Sequence, residues 1–224
     1  MNLFSYESKP MQILIFLGDL LLLNFFYILC CIPIFTIGAA QAGLFTAVRV
    51  LTDPDDDSSA TAAFFRGFTG GFGKVTIAWG LLALLIVGIA FSGYVAILNG
   101  SPVWISLVAI CVVILFHSQI APFHSRFDCT PLQLIRNAWF LVIAHPLRSF
   151  GVALLLWAPA IVFLLDLFTF MMLTPLWITI YYSTACLFGY SLLKKPFATL
   201  ITHFNESKDP TTEVIEEAAE MTAE

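Results

Sequence analysis

Charged residues are scarce in this chain of 224 residues. Asp, Glu, Lys and Arg make up 11% of it, whereas a soluble domain has about 25%. Hydrophobic residues make up 59%, against about 45 to 50% in a soluble domain. So much apolar surface would overfill the core of a water-soluble fold of this length. The composition therefore excludes an ordinary soluble domain and predicts a polytopic membrane protein.

The motifs of enzymes, metal sites and nucleic-acid binding are missing as well. No G-x-S-x-G, H-E-x-x-H or P-loop sequence occurs. His117 and His124 lie seven residues apart, which is not the i, i+4 spacing of a helical metal site. No dense run of Lys and Arg is interleaved with aromatic residues. We therefore expect no enzymatic activity, no metal, no cofactor and no nucleic-acid partner.

Cysteine is too sparse to build a disulfide framework. The chain has five cysteines, an odd number, and no C-x-x-C motif. In a membrane a free thiol behaves as a small apolar side chain, which is the expected role of these residues. Cys129 differs from the others because it lies among polar neighbours.

Long apolar runs, in contrast, are abundant. A membrane-spanning helix needs about 20 predominantly apolar residues. Pro33 interrupts the first run because it lacks a backbone donor, and the following segment 37–51 is short for a full crossing. These observations predict an all-α transmembrane bundle of about five to six membrane segments. The runs are 11–35, 37–51, 75–98, 103–123, 147–171 and 176–193.

Two connections are predicted to form interfacial helices. In the segment 60–74, Phe recurs every four residues from Phe64 to Phe72, with the basic residues off that stripe, which is typical of a helix in the headgroup region. In the segment 130–145, Thr130 is placed to cap a helix and Pro131 to occupy its first position.

The distribution of Lys and Arg predicts the orientation in the membrane. The links 99–102 and 172–175 carry no basic residue, whereas the longer connections carry several. Because cytoplasmic loops are enriched in Lys and Arg, the short links are predicted to be outside and both termini cytoplasmic. Five crossings with the amino terminus outside is the alternative.

The chain divides by composition into two parts. Residues 1–203 form the predicted transmembrane helical domain, and residues 204–224 form an acidic tail. The tail is too short and too charged to build a core, so a disordered cytoplasmic segment is expected.

Polar residues inside the spans are the candidates for a binding site, because such groups are costly in a bilayer. At the helical rise, Asp19, His117 and Gln41 lie at similar depths of roughly 10 to 15 Å. Our hypothesis is that Asp19 pairs with His117, and that Asn24, Gln41 and Gln119 complete a polar cluster that binds a solute or passes protons. The alternative is that these groups form interhelical hydrogen bonds that hold the bundle together.

Small residues recur at a spacing of four in the segment after Pro33. This spacing lets another helix approach closely. We expect packing within the monomer, and homo-oligomerisation through the same face remains open. The residues are Gly38, Ala39, Ala42, Gly43 and Ala47.

Three sequence elements, together with the overall spacing, resemble the YesL-like family of bacterial integral membrane proteins. They are C-C-I-P-I-F-T-I-G-A-A at 30–40, F-F-R-G-F-T-G-G-F at 64–72 and L-I-R-N-A-W at 134–139. The resemblance covers about residues 3–204, and P-x-x-T-I-G-A-A, starting at Pro33, is its most specific part. The chain departs from the family at 71–74, where Gly-Phe-Gly-Lys stands in place of a segment that tends to contain Asn-Phe-Lys.

The resemblance implies a location and a biological context but no reaction, since the family has no established biochemical activity. Its members tend to be encoded beside sugar-uptake and plant-polysaccharide-degrading systems of Gram-positive bacteria. It therefore implies a protein of the bacterial cytoplasmic membrane that is an accessory or solute-handling component of carbohydrate uptake, with a sugar-uptake transporter complex as partner. The alternatives are a regulatory or assembly scaffold that binds another membrane protein through 38–47, and an autonomous proton-coupled solute transporter.

Overall fold

The protein is described by a computed structural model that covers residues 9–53, 56, 58–127 and 130–206. Within these ranges every regular element is helical. Among the described residues, six helices are long and apolar enough to cross a membrane, which confirms the predicted all-α polytopic bundle. These helices are Met11–Cys30, Ile34–Leu51, Ala60–Leu98, Trp104–His124, Pro146–Leu165 and Leu167–Ala198.

We number the α-helices in chain order. Short 3-10 and π segments connect some of them. The elements are α1 (Lys9–Cys30), a 3-10 turn (Ile34–Thr36), α2 (Ile37–Leu51), α3 (Ala60–Leu98), α4 (Trp104–His117), α5 (Ile120–His124), α6 (Pro131–Ala144), α7 (Pro146–Leu165), α8 (Leu167–Leu176), a π segment (Trp177–Tyr181) and α9 (Tyr182–Glu206).

Internal contacts divide the chain into two units, Met1–Leu192 and Leu193–Glu224. The first unit contains all the packing described below. In the second unit the described residues continue α9 as far as Glu206, so helix extends three residues past the start of the predicted tail. The rest of that tail, 207–224, lies outside the described residues.

The break predicted at Pro33 is present, and one side chain stabilises it. Helix α1 ends at Cys30, and the chain turns before α2 begins. The Thr36 hydroxyl donates to the carbonyl oxygens of Cys30, at 2.5 Å, and Pro33, at 2.6 Å. The Cys30 carbonyl would otherwise have no helical donor at the end of α1. Thr36 therefore caps the helix that Pro33 terminates.

Helices α2 and α3 form a closely packed antiparallel pair. A Cβ atom on Gly43 would lie 2.7 Å from the carbonyl oxygen of Phe64, and one on Gly67 would lie 2.5 Å from the Thr46 hydroxyl. The glycines are required because the two backbones meet with no room for a side chain. The small-residue face of α2 is buried against this chain's own helices. That face is Gly38, Ala39, Ala42, Gly43 and Ala47.

The prediction of a separate interfacial helix at 60–74 is wrong. Helix α3 runs without interruption from Ala60 to Leu98. Phe64 is buried, and the ring of Phe26 on α1 lies 6.2 Å from that of Phe64 and 5.2 Å from that of Phe65. Phe64, the first residue of the Phe stripe, thus packs against another helix, whereas Phe72 is 43% exposed. Tertiary packing stabilises a glycine-rich helix that intrinsic propensity alone disfavours.

The predicted boundary between the last two spans is also wrong. The apolar run 147–171 is not one helix, because α7 ends at Leu165 and α8 begins at Leu167. Asp166 caps α8 by accepting hydrogen bonds from the backbone N–H groups of Phe168, at 3.2 Å, and Thr169, at 2.9 Å, and from the Thr169 hydroxyl. The bonds from Thr169 contribute most to lowering the pKa of this carboxyl below its ordinary value of 3.8. The predicted link 172–175 lies inside the helical segment that follows.

The helix predicted at 130–145 is confirmed as α6. Thr130 and Gln133 form a capping box, in which each side chain bonds to the other residue's backbone N–H. Trp139 on this helix stacks on Phe116 of α4 with ring centroids 4.0 Å apart. The amino-terminal cap is local in sequence, which is why the sequence pattern was sufficient to predict it.

The glycine contacts of the α2–α3 pair predict opposite effects for two Gly→Ala substitutions. Gly43→Ala should destabilise the protein by about 1 to 3 kcal/mol, the usual cost of overpacking. Gly70→Ala, on α3 where an added Cβ meets nothing within 4 Å, should stabilise it by up to about 1 kcal/mol through helix propensity. Thermal unfolding in one detergent measures both. Equal melting temperatures for the two variants would contradict the packing described.

Candidate functional site

Asn24 is a completely buried amide that bonds to the irregular backbone after Pro175. Its side-chain nitrogen donates to the carbonyl oxygens of Ile178, at 2.6 Å, and Trp177, at 3.4 Å. Its side-chain oxygen accepts from the backbone N–H of Ser183 at 3.2 Å. A π segment displaces the normal i→i−4 bonds, so an outside partner is needed here. Both ends of the Asn24 amide are thus used to join α1 to the π segment and α9.

Tyr181 performs a similar role for a proline in a neighbouring helix. Helix α7 continues through Pro159, which has no N–H to bond to the carbonyl four residues earlier. That carbonyl belongs to Leu155, and the Tyr181 hydroxyl donates to it at 2.7 Å. The phenol therefore replaces the missing main-chain donor.

A buried polar break separates α4 from α5 inside one candidate span. Ser118 and Gln119 lie between the two helices, and Pro122 removes the donor that would bond to the Ser118 carbonyl. The Gln119 side-chain nitrogen donates to the Ser118 hydroxyl, at 3.0 Å, and to the Ser149 carbonyl on α7, at 3.3 Å. Ser118, Gln119 and Ser149 are all buried. The break is therefore joined to α7 by a side-chain hydrogen bond.

His117 lies at the same break, between two tryptophans. Its ring centroid is 4.9 Å from that of Trp79 on α3 and 5.4 Å from that of Trp157 on α7. The side chain is 4% exposed. A Cβ on Gly38 would lie 2.7 Å from Trp79, so the glycine in the P-x-x-T-I-G-A-A element gives this tryptophan its space.

Three buried polar atoms at the break have no hydrogen-bond partner within the described part of the chain. They are His117 Nε2, Gln119 Oε1 and Ser149 Oγ. Buried polar groups are usually paired, so unpaired ones in a cluster indicate a site with unused hydrogen-bonding capacity. Between them they offer acceptors and at least one donor, which suits a neutral polar solute.

The five predicted binding residues do not form one cluster. Asn24 bonds to the π segment and α9, whereas Gln119 bonds beside His117 at the α4–α5 break. Asp19 and Gln41 are half-buried, and neither makes a hydrogen bond or ion pair with a described residue. The hypothesised pair of Asp19 with His117 is therefore not formed. Depth along a helix was the basis of that hypothesis, and depth does not say which neighbours a side chain faces.

Several residues of the site were not found by sequence reasoning. Trp79, Trp157 and Ser149 sit in ordinary apolar runs and have no distinguishing motif. A further polar contact joins Arg126 to Tyr190, whose hydroxyl accepts from the guanidinium and whose ring lies 5.5 Å from its central carbon. Aromatic residues at helical spacing are most often core, so only the fold could select these.

Within the described residues, no group of three or more His, Cys, Asp or Glu is placed to hold a metal ion. Four of the cysteines, Cys30, Cys31, Cys111 and Cys186, are free thiols. Cys129 lies outside the described residues.

Residues 20–94 match the model of a family described as "Protein of unknown function, DUF624". The match runs from the middle of α1 through α2 and most of α3, and it includes Asn24, Thr36, Gly38 and Trp79. No curated protein and no solved structure matches the chain. The family match and the apolar helices together describe an integral membrane protein of unknown function.

The bonds made by Asn24 predict that its amide is required for stability. Asn24→Leu should lower the free energy of unfolding by about 1 to 3 kcal/mol, because it leaves buried backbone groups unpaired. Gln41→Leu is the control, since Gln41 bonds to no described residue. Thermal unfolding in detergent is the measurement. An Asn24→Leu protein as stable as the Gln41→Leu protein would show that these bonds contribute nothing.

Proposed function

We propose that this chain is a multi-pass protein of the bacterial cytoplasmic membrane that acts as an accessory component of carbohydrate uptake and is not itself an enzyme. We further propose that it is a YesL-like protein. The support is the resemblance at 30–40, 64–72 and 134–139, together with the family match at 20–94. The association of such proteins with sugar-uptake systems supplies the biological context.

One geometric observation favours an accessory role over transport by the chain alone. The best-bonded intramembrane polar residue, Asn24, has both ends of its amide committed to backbone groups. Thr36 and Tyr181 are likewise bonded to carbonyls left by a helix end and a proline. A translocation path needs polar groups that are free to bind a solute. These three polar groups instead hold the fold together.

The proposed orientation has both termini in the cytoplasm. It is supported by the basic residues Arg49, near the end of α2, and Arg66, near the start of α3, and by the six candidate spans. An even number of crossings returns the chain to the side on which it started. We take the lipid bilayer as one partner and a sugar-uptake transporter complex as the other.

Deleting the gene in its own host tests the accessory role. Uptake of labelled plant oligosaccharides should fall, whereas uptake of an unrelated amino acid should not change. Returning the wild-type gene should restore oligosaccharide uptake. Purification in a mild detergent should recover the membrane subunits of a carbohydrate transporter in stoichiometric amount. Unchanged uptake of every carbohydrate tested, with recovery of the chain alone, would refute the role.

A second function is favoured by the unpaired atoms of His117, Gln119 and Ser149. They lie beside two tryptophans at a break in a candidate span, and broken helices form the binding sites of many transporters. On this view the chain binds a neutral polar solute, and transports it without a partner.

Reconstitution of the purified chain in vesicles separates the two functions. If it is an autonomous carrier, wild-type vesicles should accumulate labelled sugar or move protons, as read by an internal pH dye. His117→Phe should abolish the flux, because it keeps an aromatic ring between the tryptophans and removes the ring nitrogens. Gln41→Leu should leave the flux unchanged. Wild-type vesicles with no flux would exclude the carrier.

A further inference from the structure

One face of α1 is buried along only part of its length. Leu20, Leu23, Asn24 and Tyr27 share a side of the helix, and each is at most 6% exposed. These residues pack against other helices of the same unit, as the bonds of Asn24 to the π segment show. The carboxyl-terminal half of this face is therefore an interface within the chain.

Toward the start of α1 the same face becomes exposed. Counting back in helical steps of three and four from Leu20 leads to Phe16, Leu17 and Ile13. Ile13 is 61% exposed and Leu17 is 41% exposed. With Gln12 and Phe16 they line an open groove. A stripe that is an interface at one end thus becomes an open groove at the other.

Asp19 lies at the edge of this groove. It is three residues after Phe16 and seven after Gln12, so the three residues share one side of the helix. It is half-buried, within the candidate span Met11–Cys30, and makes no hydrogen bond or ion pair with a described residue. Ionisable groups inside a membrane are almost always paired, because an uncompensated charge in hydrocarbon is costly.

We propose that this surface, the α1 groove, binds a transmembrane helix of a different membrane protein that carries a Lys or Arg side chain facing Asp19. The groove is defined by Gln12, Ile13, Phe16, Leu17 and Asp19. The inference rests on the proposed accessory role and identifies where the partner binds. It is carried by the continuity of the groove with a buried interface and by the complementary charge that Asp19 requires.

A second copy of this chain fits the groove less well. A symmetric contact through this face places the same residues of both copies together, so Asp19 would lie near Asp19. Within α1 the only basic residue is Lys9, ten positions away and outside the candidate span. Lipid tails cover the apolar residues but leave the carboxylate uncompensated. A basic helix from another protein satisfies both requirements.

Site-specific photo-cross-linking in the native host tests the proposal. A benzophenone amino acid at Ile13 should give one adduct, whereas the same group at Leu84, a 70% exposed position on α3, should give none. Peptide mass spectrometry should place the cross-link in a transmembrane helix that contains Lys or Arg. Capture of a protein without such a helix would overturn the proposal.

Three variants make the charge requirement explicit. Asp19→Asn should reduce the adduct about fivefold or more, which corresponds to roughly 1 kcal/mol of lost binding. Gly18→Leu should leave it unchanged, because an added Cβ there meets nothing within 4 Å. The adduct should return when the charges are exchanged, with Asp19→Lys in this chain and an acidic residue in place of the partner's basic one. The Asp19→Asn protein should melt at the wild-type temperature, because Asp19 bonds to no described residue.

An adduct between two copies of the chain, no adduct at Ile13, or an adduct that Asp19→Asn leaves unchanged would each overturn the proposal. The outcome is separable from that of the accessory role. A charge-dependent adduct with a basic helix of a protein unrelated to sugars would uphold the groove and refute the carbohydrate context. Loss of oligosaccharide uptake on gene deletion, without an adduct at Ile13, would uphold the carbohydrate context and refute the groove.

Discussion

The structure depends on the need to satisfy every backbone hydrogen-bonding group without water. In hydrocarbon an unpaired N–H or C=O costs several kcal/mol, so each irregular turn of a helix must find a partner inside the protein. This chain interrupts its helices repeatedly, and at four of the described interruptions a specific side chain bonds to the backbone groups involved. The pairs are Thr36 with the end of α1, Tyr181 with the carbonyl freed by Pro159, Asp166 with the start of α8, and Asn24 with the π segment.

Close packing of α2 on α3 is the second constraint, and it decides which surfaces remain for partners. Gly43 and Gly67 bring the two backbones together, and Gly38 makes room for Trp79 against His117. The small-residue face is buried in this packing, so it offers no open surface to a partner. A partner must use a surface that the fold leaves open, and α1 provides one beside Asp19, which bonds to no described residue.

The parts of the fold that depend on length and local chemistry were predictable from the sequence. Apolar length identified the spans, Pro33 located the first break, and Thr130 with Pro131 located the start of α6. The failures have one physical cause, which is competition between local signals and tertiary contacts. The apolar run continues past Asp166, but Asp166 caps a new helix that starts there. Glycines at 67–73 suggested a weak separate helix, yet Gly67 is what allows α3 to pack on α2.

The candidate site was predictable only as a list of polar residues. His117 and Gln119 could be selected because they are polar in an apolar run, but Trp79, Trp157 and Ser149 carry no such signal. Hydrogen-bond partners depend on the rotation of each helix about its axis, which depth does not determine. Asn24 and His117 were therefore assigned to one cluster although their contacts are different.

The unbroken helix α3 has a consequence for the membrane in which this protein resides. Its apolar portion, 75–98, is roughly 36 Å long at the helical rise, which exceeds a hydrocarbon thickness of about 30 Å. Such hydrophobic mismatch is relieved by tilting the helix or by a thicker bilayer. Because α2 is packed along the other end of α3, any tilt of α3 must carry α2 with it. Bilayer thickness is thereby coupled to the orientation of the α2–α3 pair.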